Sequence, residues 1–217
     1  MTRDEMHSEF KLLMDKGDSF DAPSFLGSEI DAFLNIAQEK FIAKRAFSNN
    51  VRRTGFEEDQ KRRDDLRNLI TNAIISPLPV TNNNKPNGHF ALLPADYRHT
   101  IQEDALLSTG MRVGVTPLTH DRYNKVINDP FNRPDSGTVY RLDYNSNNHE
   151  LICGNGITVT KYYLRYIANP KAINITSNCV LADHTHKEIV KMAVVEALEN
   201  VEQPRYQTSK IELNEIE

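Results

Sequence analysis

Cysteine is scarce in this sequence: two residues in 217, Cys153 and Cys179, in no CxxC or CxxH arrangement. That excludes a zinc knuckle and a paired redox motif and leaves two free thiols. Long apolar runs are missing too. Nothing approaches the roughly 18 residues of a membrane span, and the opening Met1-Thr2-Arg3-Asp4-Glu5 lacks the basic start and apolar stretch of a secretory leader. Synthesis in a cytoplasm, with no membrane partner, is the expectation. Basic excess is absent as well. With 26 Lys and Arg against 30 Asp and Glu, the formal net charge is -4, which argues against a general nucleic-acid binder. Neither a P-loop nor a dinucleotide fingerprint occurs, and no Ser, Cys or His stands in a recognisable nucleophile motif. No enzyme is therefore expected, and no catalytic, cofactor-binding or metal-binding residue is assigned.

What is present is enough apolar residue for a core, 39% of the chain, at a length that suits one domain with a sizeable insertion. Met6, Phe10, Leu13 and Met14 fall at helical spacing, so a short amphipathic helix is expected to end near Gly17. Residues 17 to 27 carry turn formers with interspersed phenylalanines, the pattern of a linker, which makes the first helix a candidate arm. Ser28-Glu29-Ile30-Asp31 opens a second helix, whose Ile30, Phe33, Leu34, Ala37 and Phe41 share one face to about Ala46. Thr54-Gly55-Phe56-Glu57 opens a third, continued through Leu66, Leu69 and Ile70, with Glu57, Glu58 and Asp59 each four residues before Lys61, Arg62 and Arg63.

Helical periodicity stops at about Ala73. Strands are expected around residues 100–107, 111–116, 138–144, 149–153 and 157–167, with an apolar stretch at Phe90–Leu93 and a short helix over His120–Ile127. Asp129-Pro130-Phe131-Asn132-Arg133-Pro134-Asp135 reads as a rigid turn whose phenylalanine plugs into the fold. Gly154-Asn155-Gly156 reads as a hairpin turn rather than a phosphate loop. The last helix starts at Thr185 with a Thr-x-x-Glu box, and Ile189, Val190, Ala193, Val194, Ala197, Leu198 and Val201 make it the most apolar segment. Asp183-His184-Thr185-His186 could supply metal ligands, but helix capping accounts for the cluster better. The fold class is α+β: a helical bundle with helices near 28–46, 54–72 and 186–202, carrying an antiparallel β-sheet insertion at about 90–167.

The remaining candidate for chemistry is a basic stretch from Lys40 to Arg67. Arg45, Arg52, Arg53, Arg62 and Arg63 define a basic face directed at a neighbouring subunit or a channel; the bland alternative is a solvated face neutralised by its own acids. The residues from Asp183 onward are net acidic, so basic and acidic ends could meet head to tail around a ring.

The order of these segments resembles the head-to-tail adaptor or ring proteins of podovirus-like tailed bacteriophages, in particular those of crAss-like phages. The resemblance is carried by the run Ile30 to Phe41, the helix Phe56 to Leu66, Leu93-Pro94-Ala95-Asp96-Tyr97-Arg98, Asp129 to Pro134, and the ending His184 to Val190 followed by Glu202 to Gln207. It implies a structural virion protein, a portal-to-tail adaptor in a ring of twelve copies that contacts the portal protein and adjacent tail rings. DNA would pass through its channel without sequence-specific binding. It also implies portal docking through Pro204, Arg205, Tyr206, Ile211, Leu213 and Ile216. The corresponding division is an N-terminal arm and linker (1–26), an adaptor domain (27–203) with a β-rich insertion (76–182), and a docking tail (204–217). Phe20, Phe25, Phe131, Arg205 and Tyr206 are candidate interface anchors. The competing readings are another tail or head-completion protein, a DNA-binding packaging factor, or an enzyme whose pocket would lie near His184 and His186.

Overall fold

A computed structural model describes residues 1–14, 25–46, 59–76, 78, 88–145 and 147–200. The chain divides into two compact units. One is built from both sides of an insertion, Met1–Leu69 with Pro170–Glu217; the other is the insertion itself, Ile70–Asn169.

The first unit is helical. Helices α1 (Arg3–Met14), α2 (Gly27–Ala46) and α5 (His186–Asn200) pack together, with the short α3 (Gln60–Leu66) against α2. The periodic positions do face inward: Met6, Phe10 and Met14 of α1, Ile30, Leu34, Ala37 and Phe41 of α2, and Ile189, Val190, Ala193, Ala197 and Leu198 of α5 are all buried. So α1, read as part of an arm, is a packed element of the unit. Its Phe10 stacks on Phe33 and meets Phe25 edge-on at 5.9 Å, which places Phe25 in an internal aromatic cluster. Polar side chains of α2 hold the irregular segment that precedes α5. Asn35 receives the Ile173 N–H at 2.8 Å and donates to the Ile173 carbonyl at 3.0 Å, while Gln38 donates to Lys171 O and accepts from Cys179 Sγ.

The third helix is shorter than its pattern. Asp59 caps it by accepting from Lys61 N at 2.9 Å, and after Leu66 a 3-10 turn leads straight into strand β1 (Ile70–Ile75). The β-branched run Ile70-Thr71 and Ile74-Ile75 favours that outcome, and ladder pairing from Ile70↔Ile167 to Ile75↔Tyr162 secures it. Residues 47–58 lie outside the described part of the chain, so the proposed start at Thr54 does too.

The second unit corrects the expected class. It is not an antiparallel insertion in a helical bundle but a seven-stranded mixed sheet, curled into half a barrel; of the five α-helices of the described residues, one lies in this unit and four in the other. The other strands are β2 (Gly88–Leu92), β3 (Tyr97–Leu107), β4 (Arg112–Pro117), β5 (Val139–Asn145), β6 (Asn148–Ile152) and β7 (Val159–Ala168), in the order β1-β7-β3-β4-β5-β6-β2. All neighbours are antiparallel except β4 and β5, which are parallel because a crossover containing helix α4 (Tyr123–Ile127) returns the chain to the same end of the sheet. Inside the curl lie Leu93, Leu107, Val113, Val139, Leu151, Val159, Tyr162 and Leu164. A bulge opposite Leu106 and Leu107 skips Thr160, so Val159 turns inward although simple alternation from Tyr162 would put it outside.

The turn at Gly154-Asn155-Gly156 exists, with Gly156 at φ 75° and Ile157 N donating to Gly154 O. It is not a hairpin: β6 pairs with β5 and β2, β7 with β1 and β3. Gly154 is there for space. A Cβ at this position would lie 2.9 Å from Asp135 Cα and 3.0 Å from its carbonyl carbon, backbone atoms that cannot rotate away. Gly154→Ala is therefore expected to cost about 1–3 kcal/mol of the sheet unit's stability, read as a lowered urea midpoint.

Candidate functional site

Two polar constellations stand out, one in each unit. In the helical unit Arg45 is buried, with its guanidinium 5.0 Å above the Phe41 ring. Its Nη2 donates to both Glu188 oxygens at 2.8 and 3.0 Å, and its Nε lies 2.9 Å from Asp65 Oδ2, an ion pair without the alignment of a hydrogen bond. Asp65 also holds His184 at 2.8 Å. Arg45 is thus no part of an open basic face, because its charge is engaged inside the unit. Arg62 is buried as well, whereas Arg63 faces solvent, and Arg52 and Arg53 lie outside the described residues. The same cluster explains the histidines before α5. His184 turns to Asp65 and His186 to the Leu181 carbonyl at 2.9 Å. Thr185 does not cap the helix by accepting an amide; its hydroxyl donates to Ala182 O, and Glu188 of the same box binds Arg45.

In the sheet unit, β4 changes partners midway. Its residues 112–114 pair with β3, and 115–117 with β5. Below that crossing no strand among the described residues is paired between Tyr97–Glu103 of β3 and Leu142–Asn145 of β5, and a notch of about 860 Å3 opens there. Side chains bridge it in place of a ladder. Arg141 Nη1 donates to Glu103 Oε1 at 2.7 Å and to Thr100 Oγ1 at 3.1 Å; Tyr162 OH donates to Glu103 Oε2 at 2.6 Å and sits 3.0 Å from His149 Nδ1. Tyr97 approaches the His149 ring edge-on at 5.4 Å. Asp143, with a side chain 70% exposed, stands at the mouth, 3.2 Å from Arg141 Nε and 3.5 Å from His149 Nε2.

Burial sets the charges here. It lowers the His149 pKa to about 4, helped by the positive charge of Arg141, so the ring is neutral at pH 7. Burial also lowers His99 and pushes Glu103 up, the latter opposed by Tyr162 and Arg141. It works against the Arg141 charge too, but Glu103 and Asp143 outweigh it and raise that pKa. The notch therefore presents the Arg141–Glu103 pair, a His149 ring that is neutral at pH 7, and the exposed side chain of Asp143.

The remaining feature is the turn after α4, which sequence reading took to bury its phenylalanine. Phe131 is 95% exposed. Asp129 accepts from Phe131 N at 3.0 Å and Asn132 Nδ2 at 2.6 Å, Arg133 N bonds Asp129 O, and Tyr140 OH donates to Asn132 O at 2.7 Å. The prolines signalled a rigid turn correctly, but its hydrogen bonds close on themselves and leave the ring outside. Residues 201–217, with Pro204, Arg205, Tyr206, Ile211, Leu213 and Ile216, and also Phe20, lie outside the described chain.

These are features of a body with surfaces to share, and comparison with known proteins gives them a context. A family model described as phage tail ring protein 3/4 matches residues 1–209. The chain belongs to that family. Ring protein 4/5 of Bacteroides phage crAss001 is 27% identical to it, with 89% of this chain and 91% of that protein covered. Ring protein 3 of the same phage is 26% identical, with 76% and 81% covered. The resemblance to crAss-like phage ring proteins is thereby established, and the chain is a structural tail ring protein. The matched span takes in the whole sheet unit of this ring protein and the helical unit up to residue 209. The notch has no counterpart in the sequence reading, whereas Phe131 stands there both as a candidate interface anchor and as a plug into the fold, and its exposure goes with the first. The Pro-flanked Phe in Asp129–Pro134 was the available signal for the turn; no local signal marks a notch formed where β3 and β5 diverge.

Proposed function

We propose that this ring protein is a subunit of the adaptor between portal and tail: a homo-oligomeric ring of twelve copies in the head-tail connector, around the channel through which DNA is ejected. It contacts the portal protein on one side and adjacent tail ring proteins on the other, and DNA passes without sequence-specific binding. The family match across residues 1–209 carries this reading. The chain's formal net charge of -4 supports a passage that does not grip phosphates. In this arrangement Pro204, Arg205, Tyr206, Ile211, Leu213 and Ile216 form the docking tail on the portal. Arg52, Arg53 and Arg63 supply the basic contact to an acidic neighbour; Arg45 and Arg62, grouped with them from the sequence, are buried and take no part in it.

A second reading has a specific basis. The similar proteins of one phage carry ring numbers 3 and 4/5, which favours a stack of rings in which this subunit sits further from the portal. A cryo-electron microscopy reconstruction of the source virion, with this chain traced, separates the two. Twelve copies directly against the portal, with residues 204–217 lying on portal subunits, is the expected result. A ring lower in the tail selects the second reading, and absence of the chain from the virion overturns both.

A further inference from the structure

We propose that Phe131 of one subunit inserts into the β3–β5 notch of the next subunit around the ring. The inference rests on the reading of the chain as a ring subunit and adds to it a specific lateral contact between copies. An apolar ring held out in water by a turn that is already ordered is the form of an interface anchor: little conformational freedom remains to be lost when it is buried. Asp129, Asn132 and Tyr140 fix that turn through the hydrogen bonds given above.

The notch is a suitable receptor. Its floor offers Leu93, the Tyr97 ring and the neutral His149 ring, which can meet a phenyl group face to edge. Its volume of about 860 Å3 lies within the range of preformed binding clefts and leaves room for residues beside the phenyl ring. One charge pair is available across the contact: Asp143 at the mouth of the notch is exposed, and Arg133, two residues from Phe131, is exposed beside the anchor, while the neighbouring Asp129 and Asp135 accept hydrogen bonds within their own turns.

The two features also point in different directions, as a closed ring requires. Along β5, Val139, Arg141 and Asp143 turn to the inside of the curl, while Tyr140 and Leu142 turn outward. Leu142 and Ile152 pack with Tyr123 of α4, and Tyr140 holds the Phe131 turn. Anchor and receptor thus lie on opposite faces of the β5–β6 ribbon. A contact between unlike surfaces is heterologous, and repeated head to tail it builds a ring rather than a two-fold dimer.

The test is photo-cross-linking in assembled tails that carry the full chain with Phe131→p-benzoylphenylalanine. Because Phe131 is almost wholly exposed, the substitution leaves the fold intact, which circular dichroism of the purified chain checks. The expected product is a covalent dimer of this chain, with the adduct mapped to residues 93–104 or 141–149 of the second copy. In the same assemblies, a Phe131→Ala chain competing with an equal amount of wild type is expected to be incorporated about tenfold less. Adducts on another part of the chain, adducts on a different tail protein, or no adduct in tails that contain the ring would each overturn the notch contact while leaving the ring reading standing. Tails from which wild-type chain is missing would instead overturn the ring reading itself.

Discussion

Arg45→Met is expected to lower the stability of the helical unit by roughly 3–5 kcal/mol, the usual consequence of removing one partner from a buried ion cluster. Methionine reproduces the length of the arginine stem and can keep contact with Phe41, so lost packing contributes little. What remains is electrostatic. Asp65, with a side chain 2% exposed, and Glu188, 14% exposed, would stand together with no guanidinium between them. His184, on Asp65 and more exposed, cannot replace a cation that bridged both. Amide hydrogen exchange in α2 and α5 measures the change. Replacing all three charged groups by apolar residues of similar volume should recover most of the loss, because an ion cluster of this kind is near neutral against a well-packed apolar one. If Arg45→Met alone were as stable as wild type, the cluster would have to be open to water.

The second large effect is a pH dependence centred on His149. In the unfolded chain this imidazole titrates near 6.5; folded, it titrates at about 4. Between those values the unfolded state binds more protons, so stability is full above pH 6.5 and falls as pH drops toward 4. The shift corresponds to about 3 kcal/mol at the acid end. Glu103 runs the other way, since burial raises its pKa and its protonation favours the folded state as pH falls. The informative quantity is therefore the difference between wild type and His149→Gln, which removes the titration and keeps a polar side chain beside Tyr162. Urea unfolding of both, followed by the near-ultraviolet signal of tyrosine at pH 7.5 and pH 4.5, is expected to show wild type losing more stability than the variant. Equal losses would place the imidazole in contact with water.

How far the sequence could be read depended on how local each cause was. Helices α2 and α5 were legible because their apolar positions repeat every three to four residues, although Thr185 does not make the cap expected of it. The β3–β4 hairpin was legible because Gly110 takes the positive φ that its turn demands. Strand β1 was misread because residues 66, 69 and 70 extend a helical spacing, and only the pairing with β7, nearly a hundred positions later, decides against it. Arg45 was misread for the same reason: its partners are Asp65 and Glu188, the latter 143 positions away. The parallel β4–β5 pair depends on where the crossover returns, and periodicity carries no information about that. Phe131 shows the opposite error, in which a well-read turn was given a destination that its self-contained hydrogen bonds do not require.

The discontinuous make-up of the helical unit constrains how the protein is born. Helix α5, which supplies the most apolar face, leaves the ribosome only after the whole inserted sheet has been synthesised. Until then α1 and α2 have only each other and the short α3 to cover Phe10, Leu34 and Phe41. Meanwhile the sheet, whose ladders are all internal to residues 70–168, can form first, and its β1–β7 pairing brings the two ends of the insertion side by side. The sheet then acts as a closed clasp that replaces a long, entropically costly loop with a short one. Nascent chains truncated before His186 should accordingly carry a folded sheet and sticky, unfinished helices, the species that a chaperone would recognise.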